Sequence, residues 1–563
     1  MRAVKRPIAV LSSPNRPLFA LFSPSIPLNL LRSAATVSGL TLLSRISGLV
    51  RETLIAAVFG AGPLTDAFFV AQRLPNMLRR MFAEGAFSQA FVPLLAQTRE
   101  QADTAGNLEA AQRLINRVGT ALFWAVFLIT VVGVVFAPQL VTLVASGLTH
   151  DPATFASAVW MTRIMFPYIL LISMVALAAG ILNTWHNFAI PAITPVLLNL
   201  SMIGAALLLA DRFDPPIHAL AIGVLLGGIV QLALQLPALK RIGMLPRLSL
   251  NLRGAYTDPH TRRILSLMAP AILAVSAAQI SLLINTHIAS LLAAGSVSWV
   301  SFGDRLMEFP NGLLGVAIGT VLLPSLSAAA RAPDDASATP TAGPDRFSAL
   351  LDWGLRLALL LVTPCAIALA VMAEPLTAML YHYGQFDGRD VAMTALAVQG
   401  YAVGLIALIG IKVLAPGFFA QQNVATPVKI SVASLIATQL LNLVFVPMFA
   451  HAGLALSISV AAWLNAGLLL TLLLRSGRYQ PAPHWPRFLL QIGLGVTALA
   501  ALLIWLVPQH DWVAMGATPL QRIGLVLAIV VAGAIVYGAV LLLSGVRPAH
   551  FARRPDADPN AGA

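Results

Sequence analysis

The run from Ile523 to Leu543, IGLVLAIVVAGAIVYGAVLLL, contains 21 residues and no charged side chain. An α-helix needs about 20 apolar residues to cross the hydrocarbon core of a bilayer. Similar runs recur along the whole chain, since 58% of its 563 residues are hydrophobic, only 10% are charged and the mean hydropathy is +0.83. An ordinary soluble domain is about 25% charged. The sequence therefore predicts an all-α polytopic membrane protein.

Polar and Pro/Gly-rich breaks divide the chain into fourteen predicted spans. They start near residues 33, 64, 115, 157, 188, 217, 264, 303, 348, 391, 425, 454, 487 and 522. An even number of spans puts both termini on one side of the membrane. With that side taken as cytoplasmic, 25 of the 35 Lys and Arg residues lie in cytoplasmic segments, three in outside connections and seven within spans. This asymmetry predicts a bacterial inner-membrane protein with cytoplasmic termini, and it explains the net charge of +13 without nucleic acid.

Two short motifs recur at nearly the same offset. Leu74-Pro75-Asn76 returns as Phe309-Pro310-Asn311 after 235 residues, and Asn187–Pro191 (NFAIP) returns as Asn423–Pro427 (NVATP) after 236 residues. Each pair falls on equivalent spans of a six-span block. Because six is even, the two blocks share one orientation and form a parallel repeat. The predicted architecture is two six-helix bundles around a central cavity, with two extra C-terminal helices.

This architecture predicts five divisions of the chain. They are an N-terminal cytoplasmic extension (1–31), a first lobe (32–245), a second lobe (246–478), the last two spans (479–546) and a cytoplasmic tail (547–563).

Six of the seven cations within the predicted spans are arginines. Inserting an arginine at the centre of a membrane span costs about 2.5–3.5 kcal/mol of free energy even on insertion scales, so such a residue usually has a functional role. Guanidinium groups match the geometry of phosphate with two parallel donors. We therefore predict that Arg45, Arg51, Arg79 and Arg305 line a water-filled anion site between the two bundles. Arg163, Arg356 and Lys412 each lie alone in their spans and are predicted to be structural or to reach the headgroup layer.

Nearby carboxylates offer a competing explanation for these arginines. Arg51 could be neutralised by Glu52 or Asp66, and Arg305 by Asp304 or Glu308. Pairing and substrate binding are compatible, because a carboxylate can orient an arginine that also binds a ligand.

Candidate bends accompany the charged positions. They are Gly48 in the first span, Pro75 and Asn76 in the second, and Pro310 and Asn311 in the eighth. Arg45 and Arg51 are separated by about 240° around an ideal helix, so they share a face only if the first span bends at Gly48.

Motifs for catalysis and metal binding are missing from the sequence. It contains no P-loop, no His-x-x-x-His or Cys-x-x-Cys pair and no Gly-x-Ser-x-Gly elbow. Its one cysteine, Cys365, lies in an apolar run and cannot form an internal disulfide. We expect a transporter with no resident metal or cofactor, for which ATP is not the direct fuel.

One long run is highly characteristic: Thr65–Pro93, TDAFFVAQRLPNMLRRMFAEGAFSQAFVP. Together with the shorter runs Phe166–Ser173, Gly180–Trp185, Asp304–Pro310 and Val413–Phe418, it resembles the MurJ/MviN family. These are lipid II flippases of the multidrug/oligosaccharidyl-lipid/polysaccharide exporter superfamily. The resemblance covers about residues 29 to 554.

The resemblance implies a flippase that moves lipid II, an undecaprenyl-diphosphate-linked disaccharide pentapeptide, from the cytoplasmic to the periplasmic leaflet by alternating access. It places the polyprenyl tail along the last two spans. The family's cavity arginines map onto Arg45, Arg51, Arg79 and Arg305, and their partner acids map onto Asp66 and Glu84. Coupling to the membrane potential or to a monovalent cation stays open, with no site identified. Contacts with cell-wall synthesis or division proteins stay open as well.

Two other functions compete with this interpretation. A multidrug antiporter of the same superfamily would need an acidic cavity for cationic drugs, whereas the predicted cavity is basic. A membrane-embedded glycosyl or phosphoryl transferase would need a metal-binding acidic motif or a catalytic carboxylate pair. Asp387, Asp390 and Asp511 form no recognisable motif of that kind.

Overall fold

The computed structural model describes residues 28–80, 87–104, 108–330, 346–547 and 551. Glu84, residues 1–27 of the predicted extension and most of the predicted tail lie outside these ranges. Within them the chain forms nineteen α-helices and no β-strand. The predicted all-α class is thus confirmed for the described part of the chain.

The first half contains nine helices. They are α1 (Leu28–Phe59), α2 (Pro63–Leu78), α3 (Phe87–Thr104), α4 (Glu109–Val135), α5 (Ala137–Val144), α6 (Pro152–Met165), α7 (Pro167–Thr184), α8 (Ala189–Leu208) and α9 (His218–Arg241). A short helix, α10 (Leu252–Tyr256), lies in the connection to the second half.

The second half contains α11 (Pro259–Ser290), α12 (Ser296–Ala329), α13 (Arg346–Val371), α14 (Ala373–Tyr381), α15 (Gly388–Ala420), α16 (Ala425–Phe449) and α17 (His451–Arg475). Two further helices follow, α18 (Trp485–Leu506) and α19 (Pro519–Leu543).

Ten helical segments of the described chain are long and apolar enough to cross a membrane. Their most apolar windows have mean hydropathies of 1.8 to 2.8, and α6 and α7 count together as one segment. These segments occur in both halves and include the last two helices. The chain is therefore an integral membrane protein.

Helix boundaries in the second half repeat those of the first half. The following pairs are each 236 residues apart: the ends of α4 and α13, the starts of α5 and α14, the starts of α6 and α15, and the starts of α8 and α16. Local chemistry repeats too, because the side chains of Asp151 and Asp387 cap α6 and α15 by accepting a backbone N–H. His186 and Gln422, in equivalent turns, both adopt left-handed backbone, with φ of +58° and +61°. The two halves thus share one succession of elements, as the duplicated motifs indicate.

Close helix contacts in each half depend on small residues. A methyl group added to Gly404 of α15 would overlap Ser459 of α17, and one added to Gly223 of α9 would overlap Ala205 of α8. In lipid, helices associate through such close packing because apolar side chains gain little by leaving apolar solvent.

The two halves are joined where α2 and α12 begin. Asp66 of α2 accepts hydrogen bonds from the backbone N–H of Gly295 (2.7 Å), the backbone N–H of Ser298 (2.8 Å) and the Ser298 hydroxyl (2.6 Å). Nearby, the backbone N–H of Gln385 donates to the Ala57 carbonyl at 2.8 Å. The interface between the halves is therefore closed at this end.

Candidate functional site

A polar cavity of about 220 Å³ lies between the halves, away from the closed end. Its lining combines α1, α2, α6, α7, α8 and α9 of the first half with α12 of the second. Four arginines line it: Arg51, Arg79, Arg80 and Arg305. Among the lining residues that the structure describes, none is a carboxylate. The cavity thus brings together three of the four arginines that the sequence predicts there.

Arg51 enters the cavity from α1 and is held by two neighbours. Its Nη1 donates to Asn199 Oδ1 of α8 at 2.8 Å, and its Nη2 pairs with the Glu52 carboxylate. Asn199 is fixed in turn, since its amide donates to the Ser44 carbonyl and to the Ser47 hydroxyl. Arg51 Nε is buried and has no hydrogen-bond partner in the described part of the chain. Arg51 is thus held on both sides by neighbouring side chains.

Arg305 connects the two halves across the cavity wall. It lies on α12, and its Nε is 3.3 Å from Glu52 Oε1 of α1. Its Nη1 donates to Glu308 Oε2 at 2.7 Å, one turn along α12. Glu52 is only 4% exposed, so its charge is compensated by Arg51 and Arg305 rather than by water. Pairing by carboxylates, which the sequence leaves open, therefore occurs alongside the cavity.

Arg79 is positioned by a local irregularity of α2. Pro75 lies inside the helix, and the backbone continues past Leu78 as a wider π-type turn through Arg79 and Arg80. Asn76 Oδ1 accepts from both Arg79 Nε (3.0 Å) and Arg79 Nη2 (2.8 Å). Wide turns of this kind often occur at functional sites because they redirect side chains. The predicted residues Pro75 and Asn76 also line the cavity themselves.

Arg45 lies elsewhere. It is exposed on α1, and its guanidinium packs so closely on Gly312 of α12 that a methyl group there would overlap it. α1 continues through Gly48 as one helix, and Asn199 packs against that glycine. Arg45 and Arg51 consequently point to different sides of α1, as expected for their separation along an unbroken helix. The structure places Arg45 at the α1–α12 contact and not in the cavity lining.

The acids predicted to orient the arginines occupy different places. Among the residues that the structure describes, no arginine contacts Asp66; it is buried at the closed end, where the N-terminus of α12 supplies its donors. Two N–H groups and a hydroxyl stabilise its charge there, which removes the need for a cation. Asp304 is within electrostatic range of Arg73 and Arg305, while Glu308 pairs directly with Arg305. Glu84 lies outside the described residues.

The predicted bend in α12 carries an additional contact. Pro310 and Asn311 lie inside one continuous helix, and the Asn311 carbonyl accepts a hydrogen bond from Lys412 Nζ of α15 at 3.0 Å. Of the two roles that the sequence leaves open for Lys412, this contact is a structural one, between α15 and α12. Arg356 also has a structural role, because it pairs with Asp352 one turn away at 2.8 Å.

Sequence reasoning did not select Glu52 or Asn199 as site residues. An acid beside an arginine within an apolar span is a usable signal for Glu52, since both charges must be compensated there. Nothing near Asn199 in the sequence links it to Arg51, because the two residues are 148 positions apart.

An apolar cavity of about 560 Å³ lies between α13, α18 and α19. Its lining is almost wholly aliphatic and includes Leu360, Ala368, Leu499, Ile529 and Gly533. Cys365 also faces it, as a small apolar residue. Such a cavity can hold a hydrocarbon chain but offers no charged partner.

The geometry supports anion binding between the halves. Four guanidinium groups converge there, and three of them are positioned by carboxylates or amide oxygens. Within the described residues, no group of three or more His, Cys, Asp or Glu could hold a metal ion.

Comparisons with known proteins agree with this chemistry. Residues 55–521 match the family described as Lipid II flippase MurJ. The chain is 50% identical, over 94% of its length and all of the relative, to the lipid II flippase MurJ of Burkholderia cenocepacia. It is 38% identical, over 91% of its length and 99% of the relative, to a probable lipid II flippase MurJ of Haemophilus influenzae.

Solved structures show the same fold. A lipid II flippase MurJ in an inward closed conformation matches with a TM-score of 0.72 at 22% identity, over 90% of this chain and 99% of that one. An inward-facing multidrug resistance MATE family transporter matches with a TM-score of 0.57 at 14% identity, over 79% of this chain and 98% of that one.

Proposed function

We propose that this chain, which belongs to the lipid II flippase MurJ family, moves lipid II from the cytoplasmic to the periplasmic leaflet by alternating access. The observation that carries this proposal is the cavity between the halves, where Arg51, Arg79 and Arg305 converge. Their fork-shaped donors suit the two phosphates of an undecaprenyl diphosphate headgroup.

The finer topology belongs to the same proposal. Fourteen spans would place both termini in the cytoplasm, with lobes at 32–245 and 246–478 and a helix pair at 479–546. The positive-inside distribution of Lys and Arg supports this orientation. The end closed by Asp66 would then face the periplasm, and the cavity would open toward the cytoplasm, where the precursor is made.

Glu52 gives the binding step a physical mechanism. Beside the cavity its carboxylate bridges Arg51 of the first half and Arg305 of the second. A diphosphate would offer the same arginines more acceptors and more negative charge. A ligand that binds one arrangement of the halves more tightly shifts the population toward it by that difference in affinity.

The polyprenyl tail has a separate place in this proposal. The apolar cavity between α13, α18 and α19 would receive part of the tail while the headgroup lies among the arginines. Its aliphatic lining supports such a ligand, because each buried CH₂ contributes about 0.8 kcal/mol.

For the return step we propose no resident cofactor. The membrane potential is worth about 2.3 kcal/mol per charge per 100 mV and can bias the movement of a cavity with excess positive charge. Coupling to a monovalent cation is the other candidate, with no site assigned. Cell-wall synthesis or division proteins would be partners at the cytoplasmic loops.

A multidrug antiporter is the competing function. The MATE transporter match supports a shared fold alone, and a cavity lined by four arginines would repel cationic drugs.

Proteoliposomes with fluorescent lipid II in the inner leaflet test the proposal, with and without an imposed potential. We expect Arg51→Ala to slow appearance of the lipid in the outer leaflet by about tenfold to a hundredfold, the worth of a charged hydrogen-bond pair. Arg51→Lys should be nearly as slow because lysine lacks the planar fork.

The matched control is Arg163→Lys, because Arg163 is an exposed arginine of α6 outside the cavity lining. It should flip lipid II at the wild-type rate. Wild-type flipping by both Arg51 variants would refute the arginine site.

A further inference from the structure

A polar stripe on α4 binds the chain that connects the two halves. Its members lie at four-residue intervals and therefore on one helix face: Gln112, Asn116, Thr120 and Trp124. Each is hydrogen-bonded to the backbone of residues 245–249. The bonds are Gln112 Nε2 to the Leu245 carbonyl (3.0 Å), Arg247 N–H to Asn116 Oδ1 (2.8 Å), Ser249 N–H to Thr120 Oγ1 (3.2 Å) and Trp124 Nε1 to the Ser249 carbonyl (3.1 Å). The connecting segment is thus fixed along this face.

These bonds show the direction of the segment. From Gln112 to Trp124 the α4 axis advances about 18 Å into the apolar part of that helix. The chain then returns, since Tyr256 OH donates to the Ala121 carbonyl at 2.8 Å and Asp258 pairs with Arg117. Residues 250–253 therefore form the tip of a finger beside Trp124, beyond the last charged residue of α4.

The outer side of this finger is apolar. Leu248, Leu250 and Leu252 are 47%, 81% and 41% exposed, while the intervening residue Ser249 bonds to α4. Ser249 bonds to α4 through its backbone N–H and carbonyl, and the exposure of the three leucines shows that much of their surface faces away from α4. On α4 itself, Trp124 stacks edge-on with Phe123 and Phe127. Aromatic side chains of this kind are enriched where a membrane protein meets the headgroup layer.

Positive charge surrounds the tip. Arg247 and Arg253 flank the leucines and are both exposed, and four more exposed cations lie at the ends of the connection: Lys240, Arg241, Arg262 and Arg263. The carboxylate in this connection, Asp258, is buried and already paired with Arg117. The surface thus combines exposed leucines with exposed arginines.

We propose that residues 245–253 form a membrane wedge. The leucines insert into the acyl layer, and Arg247 and Arg253 bind the phosphate headgroups of anionic phospholipids. Apolar residues beside basic ones are the features of segments that lie in the interface of anionic membranes. The proposal rests on the orientation given above only for the leaflet, which would be the cytoplasmic one.

The wedge also has a mechanical consequence. It lies in the connection between α9 and α11. That connection ends at Asp258, which caps α11 by accepting from the backbone N–H groups of His260 and Thr261, both at 3.1 Å. Anchoring this connection to lipid fixes the point about which the second half moves relative to the first.

Lipid selectivity tests the headgroup contacts. The full-length protein is reconstituted in phosphatidylcholine vesicles, and the motionally restricted fraction of spin-labelled phosphatidylglycerol is compared with that of spin-labelled phosphatidylcholine. We expect Arg247→Gln combined with Arg253→Gln to reduce the preference for phosphatidylglycerol by about fivefold or more. The matched control, Arg475→Gln combined with Arg478→Gln, removes two exposed cations at the C-terminal end of α17 and should keep the preference. Equal losses in both double variants, or no loss in the first, would overturn the proposal.

Depth measurement tests the wedge independently. In a Cys365→Ser background, a polarity-sensitive fluorophore is attached to Leu250→Cys or, as the control, to Arg478→Cys. We expect the label at position 250 to emit at shorter wavelength and to be quenched by nitroxide-labelled lipid, and the label at 478 to be quenched by aqueous iodide. Iodide quenching at position 250 would overturn the insertion. Neither readout involves lipid II, so both stand apart from the test of transport.

Discussion

Glu52 lies between two arginines that belong to different halves of the molecule. Its carboxylate contacts Arg51 beside it on α1 and Arg305 on α12. The sequence supplies the arginines and the possibility of pairing, because intramembrane charges must be compensated. It does not supply the partner across the interface, since residues 52 and 305 meet only when α1 and α12 pack together. For the same reason the sequence predicts Arg45 in the cavity lining, whereas its guanidinium packs on Gly312 of α12.

Replacing Glu52 tests whether its carboxylate substitutes for a phosphate. Glu52→Gln keeps the size of the side chain but leaves Arg51 and Arg305 without their shared counterion. We expect unfolding of the empty protein to become easier by about 1–3 kcal/mol. Inorganic pyrophosphate should then raise the thermal midpoint of the variant more than that of the wild type, because it supplies the missing charge.

Glu308→Gln is the control for this measurement. Glu308 is half exposed and pairs with Arg305 alone, so its loss should cost less and should change the pyrophosphate response little. Equal responses of the two variants to pyrophosphate would contradict the bridging role of Glu52.

The sequence predicts the positions of the helices far better than it predicts the contacts between them. The predicted starts near 425, 487 and 522 lie within three residues of the starts of α16, α18 and α19 at Ala425, Trp485 and Pro519. Apolar length and Pro/Gly breaks are local properties, so the sequence displays them directly. By contrast, Arg522 is predicted in an outside connection, but it lies in the first turn of α19 and is fully buried. Its partner His382 is 140 residues away, and no local pattern indicates it.

Arg522 attaches α19 to the turn that follows α14. Its Nη1 donates to His382 Nδ1 and its Nη2 to the His382 carbonyl, both at 3.0 Å, and its guanidinium lies over the Tyr383 ring. Burial and the nearby charge of Arg522 lower the pKa of His382, with Asp387 opposing them. The neutral imidazole is therefore the form that accepts from Arg522.

The lowered pKa of His382 predicts a pH-sensitive attachment. His382 favours the folded contact when neutral, so the stabilisation is complete above the ordinary pKa of 6.5 and is lost as pH falls below it. We expect amide hydrogen exchange in residues 382–386 and 512–518 to accelerate between pH 7.5 and 5.5, after correction for intrinsic rates. His382→Gln offers an acceptor that does not titrate and should remove this dependence. Persistence of the acceleration in that variant would assign it to another group.

At the scale of the whole molecule, helix α12 links the closed end of the interface between the halves to the basic cavity. Asp66 reaches across the interface and binds three donors at the start of α12, while about two turns beyond Ser298 the same helix carries Arg305 into the cavity. Because α12 is continuous from Ser296 to Ala329, movement at its start is transmitted to Arg305 and to its contact with Glu52. The repeated sequence motifs predict two similar halves, but a single sequence gives no sign of which end is closed.

Asp66→Asn should therefore change the balance between closed and open arrangements. An amide replaces one acceptor oxygen by a donor and removes the charge that the N-terminus of α12 stabilises, so the closed end should lose about 1.5–3 kcal/mol. Spin labels on Arg212→Cys and Ala293→Cys, in a Cys365→Ser background, report the distance between the halves at this end. We expect a longer distance to gain population by about tenfold or more.

Asp390→Asn is the matched control, because Asp390 accepts a single hydrogen bond from the first half, from the Ala61 N–H at 3.2 Å, and its other donor, Trp299, lies in its own half. If Asp390→Asn shifts the distance as much as Asp66→Asn does, closure is shared among many contacts. If the distance distribution of Asp66→Asn is unchanged, this carboxylate does not hold the halves together.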